Sequence, residues 1–525
     1  MSALSPLPDF ETAINQEFGT IAGLIGLHAA LRPDNPALRD DSRTLSYRQL
    51  DELMNRAAAA LQRDGLNKGD AVAVCAASSV NYAALFLGAL RAGVAVAPLA
   101  PSSTPASLVR MVQDAGAQAL FLDASTADAL REVAGVRRIA LDGSGSEAFE
   151  AWLAAPGSRP APVNVEPGTP FNIIYSSGTT GEPKGIVQGH GMRWAHVRRG
   201  SKYEYDAQTV TLLSTPLYSN TTLVVFFPTL AYGGCATLMP KFDAGRYLQL
   251  AAQQRVTHTM LVPVQYQRLM ARPDFDSHDL SSYRYKFSTS APFNAALKAD
   301  VLERWPGGLV EFYGMTEGGG TCILEAHLHP DKLHTVGRPA EGSDIRLIDE
   351  AGQEVAPGEA GEVVGHSAGM MTGYHRQPEK TREAEWFDAN GKRFIRTGDI
   401  GRFDAEGFLT LFDRRKDMII SGGFNIYPSD LEAVLRQHPS VLEASVVGVP
   451  SQEWGETPVG FVVAREDAEP VDAETLRAWA NAQLGKTQRL AQLLFVDELP
   501  RSAIGKVLKR ELRDRLASAE AKRGV

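Results

Sequence analysis

Cysteine is scarce in this chain, and this scarcity excludes several classes of protein. Only Cys75, Cys235 and Cys322 occur among 525 residues, far apart and odd in number. A disulfide framework is therefore not expected, and a reducing cytoplasm is the predicted location. No two cysteines have metal-ligand spacing, and the eleven histidines form no His-x-x-x-His pair with an obvious third ligand. We interpret each cysteine as a small buried hydrophobic residue.

Targeting signals and membrane segments are also missing from the sequence. Residues 1–18 lack a basic segment followed by an apolar core, so no secretory signal is predicted. The most apolar window, Tyr82–Leu99, contains Gly88 and Arg91, which favours a buried helix running into a strand over a membrane span. Residues 522–525 match no peroxisomal or lipidation signal. A net charge of −9 argues against a general nucleic-acid-binding protein.

The length and the hydrophobic periodicity predict a multidomain α/β protein. A chain of 525 residues is too long for one compact core. Helical patterns alternate with short apolar runs in residues 20–160 and again in residues 209–311, which predicts two α/β subdomains with parallel sheets wrapped by helices. The predicted elements are helices 47–63 and 80–92 and strands 71–76, 94–98, 211–214, 236–239, 258–262 and 309–313.

The second half of the chain has a different composition. Residues 333–412 are rich in glycine and contain short apolar runs, which predicts a small β-rich subdomain. From Asp430 onward, helical and strand patterns predict a compact α+β domain. The predicted strands are 344–348, 361–364, 407–412, 442–449 and 459–464, and the predicted helices are 431–438, 472–484 and 507–516.

The segment Tyr175–Gly185, which reads Tyr-Ser-Ser-Gly-Thr-Thr-Gly-Glu-Pro-Lys-Gly, is the most informative stretch. Glycines let backbone N–H groups point at one anion, hydroxyls add donors, and a lysine adds a mobile positive charge. The apolar run 171–175 leads into the segment as a predicted buried strand. The alternative is a polar surface loop. We predict a phosphate-binding loop made of Ser176, Ser177, Gly178, Thr179, Thr180, Gly181 and Lys184.

This loop lacks the Walker A pattern. That pattern needs Gly-x-x-x-x-Gly-Lys-Ser/Thr, with the hydroxyl on magnesium and a helix after the loop. Here Gly185 follows Lys184, and Pro183 removes a backbone donor. An ordinary P-loop ATPase or kinase is therefore not predicted.

Further segments follow the loop in a characteristic order. They are Tyr313–Glu317, Gly361–Val363, Gly373–Tyr374, Arg396–Asp399, Asp413–Asp417 and Gly505–Lys506. With them, the chain resembles the adenylate-forming superfamily of acyl-CoA synthetases, peptide-synthetase adenylation domains and luciferases over residues 20–515. The resemblance implies ATP-dependent activation of a carboxylate as an acyl-adenylate with release of pyrophosphate, then acyl transfer to the thiol of coenzyme A, with Mg²⁺ as the metal.

The resemblance also implies a domain organisation. An N-terminal AMP-binding domain would span residues 1–413, a hinge residues 414–417, and a small mobile C-terminal lid domain residues 418–525. The alternative for the charged run 413–417 is a solvated linker. In this superfamily the C-terminal domain rotates between the two half-reactions, and Lys416 occupies the hinge position.

The resemblance implies nucleotide-binding roles for particular residues. Thr316 would offer its hydroxyl to a phosphate, and Glu317 would bind Mg²⁺. The alternative for Glu317 is an acid at a helix N-terminus. Asp399 would accept the ribose hydroxyls, and Arg414 would contact ribose or phosphate. The adenine pocket would contain Ser290, Ala291, Pro292, Glu311, Phe312, Tyr313 and Gly314, with Tyr313 either stacked on the base or part of the core.

The C-terminal domain carries two further implied elements. Lys506 would bridge the substrate carboxylate and the α-phosphate, and so stabilise charge that develops in the transition state. After the C-terminal domain rotates for the second half-reaction, another segment would approach the site. It consists of Ser421, Gly422, Gly423 and Phe424, and its glycines suit close contact with the pantetheine arm of coenzyme A.

The acyl substrate is the least determined feature. Its pocket is predicted from Tyr218, Ser219, Val262, Gly318 and Gly319. Many relatives carry an aromatic–histidine pair where this chain has Tyr218 and Ser219. No acidic residue lies between Leu212 and Tyr232, which disfavours an amino acid substrate. A dicarboxylate substrate stays possible because three arginines after the phosphate loop could bind its second carboxylate. They are Arg193, Arg198 and Arg199.

We therefore predict a monocarboxylic acid with an aromatic or medium-chain body. The run Gly318–Gly320 either makes room for a ring or is a plain flexible turn. Two other functions stay open: a ligase that loads a carrier-protein phosphopantetheine, and a non-catalytic nucleotide-binding relative. The oligomeric state also stays open, with a homodimer among the options.

Overall fold

The computed structural model describes residues 9–145, 147–176, 184–414, 417–421, 424–451, 454–465, 468–485, 488–502 and 505–523. The backbone forms two compact units. The first contains Met1–Asp344 and Gly365–Ile395, and the second contains Ile345–Val364 and Arg396–Val525. These units do not coincide with the predicted domain limits at residues 413 and 418, which stay a prediction.

Helices occur throughout both units. In the described residues they are α1 Phe10–Ile14, α2 Ile21–Leu31, α3 Tyr47–Arg63, α4 Val80–Arg91, α5 Pro105–Asp114, α6 Phe149–Trp152, α7 His190–Arg198, α8 Asn220–Ala231, α9 Ala244–Gln253, α10 Pro263–Met270, α11 Ala295–Arg304, α12 Pro378–Glu383, α13 Pro428–Leu435, α14 Ala473–Gln483 and α15 Lys509–Arg523. Short 3₁₀ turns lie at Arg199–Tyr203, Phe275–Ser277 and Pro330–Lys332.

The strands of the first 340 residues belong mostly to two large sheets. They are β1 Pro36–Arg39, β2 Thr44–Ser46, β3 Ala71–Cys75, β4 Ala95–Pro98, β5 Ala117–Leu122, β6 Arg137–Ala140, β7 Pro170–Ser176, β8 Lys184–Gly189, β9 Val210–Leu213, β10 Cys235–Leu238, β11 His258–Leu261, β12 Tyr285–Ser288, β13 Gly308–Gly314, β14 Thr321–Glu325 and β15 Arg338–Pro339.

The later strands vary widely in length. They are β16 Ser343–Ile348, β17 Gly361–Ser367, β18 Gly373–Tyr374, β19 Glu385–Phe387, β20 Arg393–Phe403, β21 Leu409–Arg414, β22 Ile419–Ser421, β23 Phe424–Ile426, β24 Val441–Ser451, β25 Gly455–Ala464 and β26 Gln492–Phe495. The predicted strands and helices of this part are confirmed, with ends that differ by a few residues.

The first sheet has the strand order β18-β8-β7-β4-β3-β5-β6. Strands β7, β4, β3, β5 and β6 are parallel, and β8 returns antiparallel to β7. The predicted alternation is confirmed. Helix α3 begins with a capping box between Ser46 and Gln49. It packs closely on α4 because Gly88 has no side chain: an added carbon would lie 2.8 Å from the Ala57 methyl.

The second sheet has the order β15-β14-β13-β12-β11-β9-β10-β1-β2. Strands β13, β12, β11, β9, β10 and β1 run parallel, so their carboxyl ends lie at one edge. A core of buried side chains from both sheets and from helices α2, α3, α4 and α8 fills the first unit. The apolar window Tyr82–Leu99 forms α4 and β4, as predicted.

The second unit is β-rich at its start and α+β at its end, as predicted. Strand β24 pairs antiparallel with β25 along its whole length, and β26 joins β25 in parallel. One buried cluster packs beneath α13 and α14, and another contains Leu512 and Leu516 of α15. Among the described residues of both units, we find no helix with the length and apolarity that a membrane crossing requires.

Candidate active site

Four predicted site segments meet at one edge of the second sheet. Ser219, Val262, Ser290 and Thr316 follow β9, β11, β12 and β13, which are adjacent parallel strands. Ligands of α/β proteins bind outside the carboxyl ends of such strands. The fold therefore brings together segments that are almost a hundred residues apart in the sequence.

The phosphate loop connects two antiparallel strands. Ser176, the last residue of β7, pairs in register with Lys184, the first residue of β8. Because a strand and not a helix begins at Lys184, the prediction that this is not a Walker A loop is confirmed. The loop residues Ser177, Gly178, Thr179, Thr180 and Gly181 lie outside the described residues, so their phosphate-binding role stays a prediction.

Glu317 is held by two contacts from one segment. The Tyr374 hydroxyl donates to Glu317 Oε1 at 2.9 Å, and the Met371 N–H donates to the Glu317 carbonyl at 2.7 Å. Burial and the adjacent Glu317 carboxylate raise the pKa of Tyr374 well above its ordinary value, so this phenol stays a donor. The Lys184 ammonium lies 5.2 Å from the centre of the Tyr374 ring. The structure thus gathers Lys184, Glu317 and Tyr374 at one point.

The alternative interpretation of Glu317 is wrong. Glu317 lies in the turn between β13 and β14, so no helix dipole stabilises its carboxylate. Tyr374 was absent from the predicted site, although the Gly373–Tyr374 motif was a signal for it. Its position becomes clear only when β18 pairs with β8, which begins at Lys184.

The residues at this point fit a magnesium ion bound together with a nucleotide. Mg²⁺ is usually held by one or two carboxylates plus phosphate oxygens and water. Glu317 can supply the carboxylate, since one of its oxygens accepts from Tyr374. Within the part of the chain that the structure describes, no group of three or more His, Cys, Asp or Glu residues could hold a metal alone.

A buried arginine connects the segments around the site. Arg193 Nη2 donates to the side-chain oxygens of Asn172 at 3.2 Å, Asn220 at 2.8 Å and Gln188. Gln188 Nε2 in turn donates to the Thr316 carbonyl at 2.7 Å. One guanidinium therefore links both strands of the phosphate loop, the start of α8 and the Thr316 turn.

Arg193 is not positioned to anchor a second substrate carboxylate. Its side chain is 1% exposed, and its guanidinium lies 5.7 Å from the ring centres of Phe171 and Phe227. Burial lowers its pKa to about 9, so it stays charged near neutral pH. Among the described residues, no carboxylate pairs with it. Arg198 and Arg199 are exposed, so these three arginines do not form one anion site.

The predicted adenine pocket is only partly supported by side-chain positions. Ser290 has a left-handed backbone with φ of +80°, and its hydroxyl bonds to that of Thr221 at 2.6 Å. Such strain in a non-glycine residue is typical of functional sites. Ala291 is partly buried, whereas Pro292 and Gly314 are exposed; Tyr313 is partly buried.

Two other residues of the predicted pocket have side chains that face the interior. Glu311 is paired with Lys298, whose ammonium also donates to the carbonyls of Leu333 at 2.8 Å and Thr335 at 3.1 Å. Burial raises the pKa of Glu311, and Lys298 opposes this effect. The Phe312 ring stacks on the Phe287 ring. We expect Glu311 and Phe312 to contact a nucleotide through their main chains.

The predicted acyl-pocket residues include two helix caps. Ser219 caps α8, where its hydroxyl accepts from the Thr221 N–H at 3.3 Å. Val262 precedes α10 and is 3% exposed. Tyr218 is partly buried, and burial raises its pKa to about 12. Their contact with a substrate stays a prediction.

The glycines after Glu317 do not open space for a ring. Gly318 has φ of +75°, and an added side-chain carbon would overlap the Gly369 carbonyl oxygen and lie 2.9 Å from the Met192 methyl. At Gly319 an added carbon would lie 2.7 Å from Ile395 Cβ. The expectation that they enlarge the pocket is therefore corrected: they permit close backbone packing behind the Glu317 turn.

We predict that Gly318→Ala destabilises the protein far more than Gly342→Ala. Both glycines have φ of +75°, but nothing lies within 4 Å of an added carbon at Gly342. The control should lower the free energy of unfolding by about 1 kcal/mol, the cost of the left-handed conformation, and Gly318→Ala by about 3 kcal/mol or more. Urea unfolding of both variants measures the difference. Equal losses would contradict the packing described here.

The second unit places two predicted ribose contacts opposite each other. Asp399 of β20 and Arg414 of β21 are register partners, beside a register shift. Gly398 has φ of +71°, and the Thr397 hydroxyl accepts from the Asp399 N–H at 3.0 Å. The ribose contacts of Asp399 and Arg414 stay predictions.

Lys506 lies on a tight turn before α15. Its carbonyl accepts from the Ser502 N–H at 2.8 Å, and its N–H donates to the Ser502 hydroxyl at 3.2 Å. Gly505 has φ of +77°. Ser421 pairs in register with Phe424, whereas Lys416, Gly422 and Gly423 lie outside the described residues. The roles of all these residues stay predictions.

The end of the charged run 413–417 is not a solvated linker. Arg513 of α15 donates to the Asp417 carboxylate at 2.9 Å, and the Asp417 side chain is 14% exposed. The solvated-linker interpretation is therefore wrong for Asp417, which is bound within the second unit.

Comparisons with known proteins agree with these features. The family model described as AMP-binding enzyme matches residues 27–375, and that described as AMP-binding enzyme C-terminal domain matches residues 430–506. An indoleacetate–CoA ligase of Aromatoleum aromaticum is 34% identical, with 94% of this chain and 97% of that protein covered. A fatty acid–[acyl-carrier-protein] ligase, ScoC, of Streptomyces coeruleorubidus is 31% identical, with 96% and 98% covered.

A solved structure supports the same fold. The crystal structure of ATP-bound MatB from Rhodopseudomonas palustris is 30% identical and has a TM-score of 0.83, with 94% of this chain and 98% of that chain covered. The chain belongs to the AMP-binding enzyme family, and so to the adenylate-forming superfamily that the motifs indicated. Within it, the chain is an AMP-forming carboxylate–CoA ligase, a class that uses ATP, Mg²⁺ and coenzyme A.

Proposed function

We propose that this enzyme activates a monocarboxylic acid with an aromatic body and transfers the acyl group to coenzyme A. In the first half-reaction a carboxylate oxygen attacks the α-phosphorus of ATP, and pyrophosphate leaves. In the second, the thiol sulfur attacks the acyl carbon, AMP leaves, and the thiol proton passes to solvent. The observation that carries this proposal is the assembly of Lys184, Thr316 and Glu317 at the carboxyl edge of the sheet.

Each residue of that assembly has a task in the proposed chemistry. Lys184 neutralises charge on the phosphates that leave, and the Thr316 hydroxyl orients a phosphate. Glu317 holds Mg²⁺, which supplies further charge neutralisation when bound. The roles proposed for the second unit are ribose binding by Asp399 and charge stabilisation by Lys506 during adenylation. The main chain of Thr316 is held by Gln188, so its hydroxyl is presented from a fixed turn.

An aromatic body is favoured by one relative, and a single carboxylate by the composition of one pocket segment. The indoleacetate–CoA ligase matches nearly the whole chain. The segment from Leu212 to Tyr232 has no charged side chain that could anchor a second ionised group. A cytoplasmic location belongs to this proposal, in which Cys75, Cys235 and Cys322 are buried free thiols.

A panel of acids tests the function directly. Purified protein with ATP and Mg²⁺ should release pyrophosphate and form the acyl-adenylate with aromatic monocarboxylic acids such as indole-3-acetate. Addition of coenzyme A should then give AMP, not ADP, together with the acyl-CoA, detected by mass spectrometry. If no acid of a panel of aromatic, fatty and dicarboxylic acids caused the release of pyrophosphate from ATP, the proposal would be abandoned in favour of a non-catalytic relative.

A second candidate differs only in the acceptor. The carrier-protein ligase ScoC matches 96% of this chain, which favours testing a phosphopantetheinylated carrier protein beside free coenzyme A. With acyl-adenylate preformed on the enzyme, we expect a thioester on coenzyme A. A thioester found on the carrier alone would replace the proposed acceptor and leave the adenylation step unchanged.

A further inference from the structure

Helix α7 has two faces with different surroundings. One face lies in the core and contains the buried residues His190, Arg193, Trp194 and Val197. Met192, His196 and Arg199 follow at helical spacing on another side. This second side is covered by chain segments from elsewhere in the first unit.

One of the covering segments belongs to the candidate active site. At one end, the Met192 methyl lies against Gly318, next to Glu317. At the other end, Arg199 Nη2 donates to the Glu341 carbonyl at 3.4 Å. His196 lies between these two contacts, one helical turn after Met192. Helical spacing therefore places His196 on the same side of α7 as the contact between Met192 and Gly318.

The imidazole of His196 is deep in the protein but has no protein partner. Among the residues that the structure describes, none forms a hydrogen bond with its ring nitrogens. These nitrogens remain accessible to solvent, whereas His190 Nε2 is fully buried. Burial, together with Arg193 and Arg199, lowers the pKa of His196 to about 3. The ring is therefore neutral near physiological pH, with one donor and one acceptor.

Two other deep histidines of this unit have partners. His28 Nε2 bonds to the Ala231 carbonyl and His258 Nε2 to the Tyr203 carbonyl, both at 2.7 Å. These residues serve the core. His196 differs because its ring is partly exposed, and an accessible polar group in desolvated surroundings is suited to bind a ligand.

The position of His196 is well fixed. Arg193, one turn earlier on α7, is anchored by Asn172, Gln188 and Asn220. A side chain held by a rigid helix can discriminate ligands better than one on a loop. The positive charge of Arg193 also disfavours a cationic substituent beside the imidazole.

We propose that His196 determines acyl specificity by a hydrogen bond to an uncharged polar substituent, a hydroxyl or a ring N–H, at the end of the acyl group remote from its carboxylate. This inference rests on the proposed function. Met192, one helical turn earlier, then supplies a neighbouring apolar contact. The preferred acids are aromatic monocarboxylates that carry such a substituent.

Matched pairs of acids test this role. One pair is 4-hydroxycinnamate and cinnamate, and the other is indole-3-acetate and 1-naphthylacetate, in which the second member lacks the polar hydrogen. We expect the wild-type enzyme to favour the first member of at least one pair by about 10- to 100-fold in kcat/KM, measured by pyrophosphate release. His196→Leu should remove this preference by lowering kcat/KM for the first member of the pair and leaving kcat/KM for the second unchanged. His196→Gln should restore part of the preference.

The control is Arg198→Gln, an exposed change on the same helix that should leave both members unaffected. A purely structural histidine would lower both members of a pair equally in His196→Leu, and that result would overturn the inference. So would a wild-type enzyme that shows no preference in either pair, or one that prefers a dicarboxylate. Failure of the wild-type enzyme to activate any acid would instead overturn the proposed function.

Discussion

Lys506→Ala should nearly abolish acyl-adenylate formation and spare thioester formation from preformed acyl-adenylate. The ammonium group is expected to stabilise charge that builds between the carboxylate and the α-phosphate, and it has no part in thiol attack. Removal of one such preorganised donor typically costs about 10²- to 10³-fold in rate. Lys506 lies on a turn closed by Ser502, so the substitution should not disturb the fold of the second unit.

Two separate assays measure the rates of the two half-reactions. Pyrophosphate release measures the first half-reaction, and synthesis of acyl-CoA from chemically prepared acyl-adenylate measures the second. Lys241→Ala, at an exposed position, is the matched control and should affect neither. Equal loss in both half-reactions would contradict the assignment of Lys506 to adenylation, because a domain that presents this lysine in only one orientation should not need it in the other.

Most of the fold could be predicted because its signals are local. Helix α3 has strong amphipathic periodicity and a capping box, and a strand such as β3 is a short apolar run. The predicted helix 80–92 differs from α4 by one residue at its end. Strand order and the compact units depend on contacts between distant residues, which no local pattern contains.

The candidate site likewise contains residues that local motifs predict and residues that only distant contacts reveal. Motif residues such as Lys184 and Glu317 were predicted because their types and spacing are distinctive. Tyr374 was missed as a site residue, and Arg193 was named only as an open dicarboxylate contact, because their contacts are with residues far apart in sequence, such as Tyr374 with Glu317. The two interpretations of the glycine run stayed open for a related reason, since the space beside Gly318 is filled by a segment some fifty residues later.

Glu317→Gln should reduce pyrophosphate release by about 10²- to 10³-fold and raise the Mg²⁺ concentration needed for half-maximal rate. The amide keeps the size of the side chain and can still accept from Tyr374, but it loses the charge that a hard cation requires. Tyr374→Phe removes one neutral donor to Glu317 and keeps the charge. We therefore expect a smaller effect of about 10-fold, as for one hydrogen bond to a charged group.

The dependence on Mg²⁺ separates a metal ligand from a structural acid. If Glu317 binds the ion, a tenfold increase in Mg²⁺ should recover part of the Glu317→Gln rate, whereas Tyr374→Phe should keep a nearly normal Mg²⁺ requirement. An unchanged Mg²⁺ requirement in Glu317→Gln, with the rate still reduced, would assign Glu317 to holding Tyr374 and the Met371 main chain instead. The two variants together thus decide whether Glu317, in the turn after β13, binds Mg²⁺ or only holds its neighbours in place.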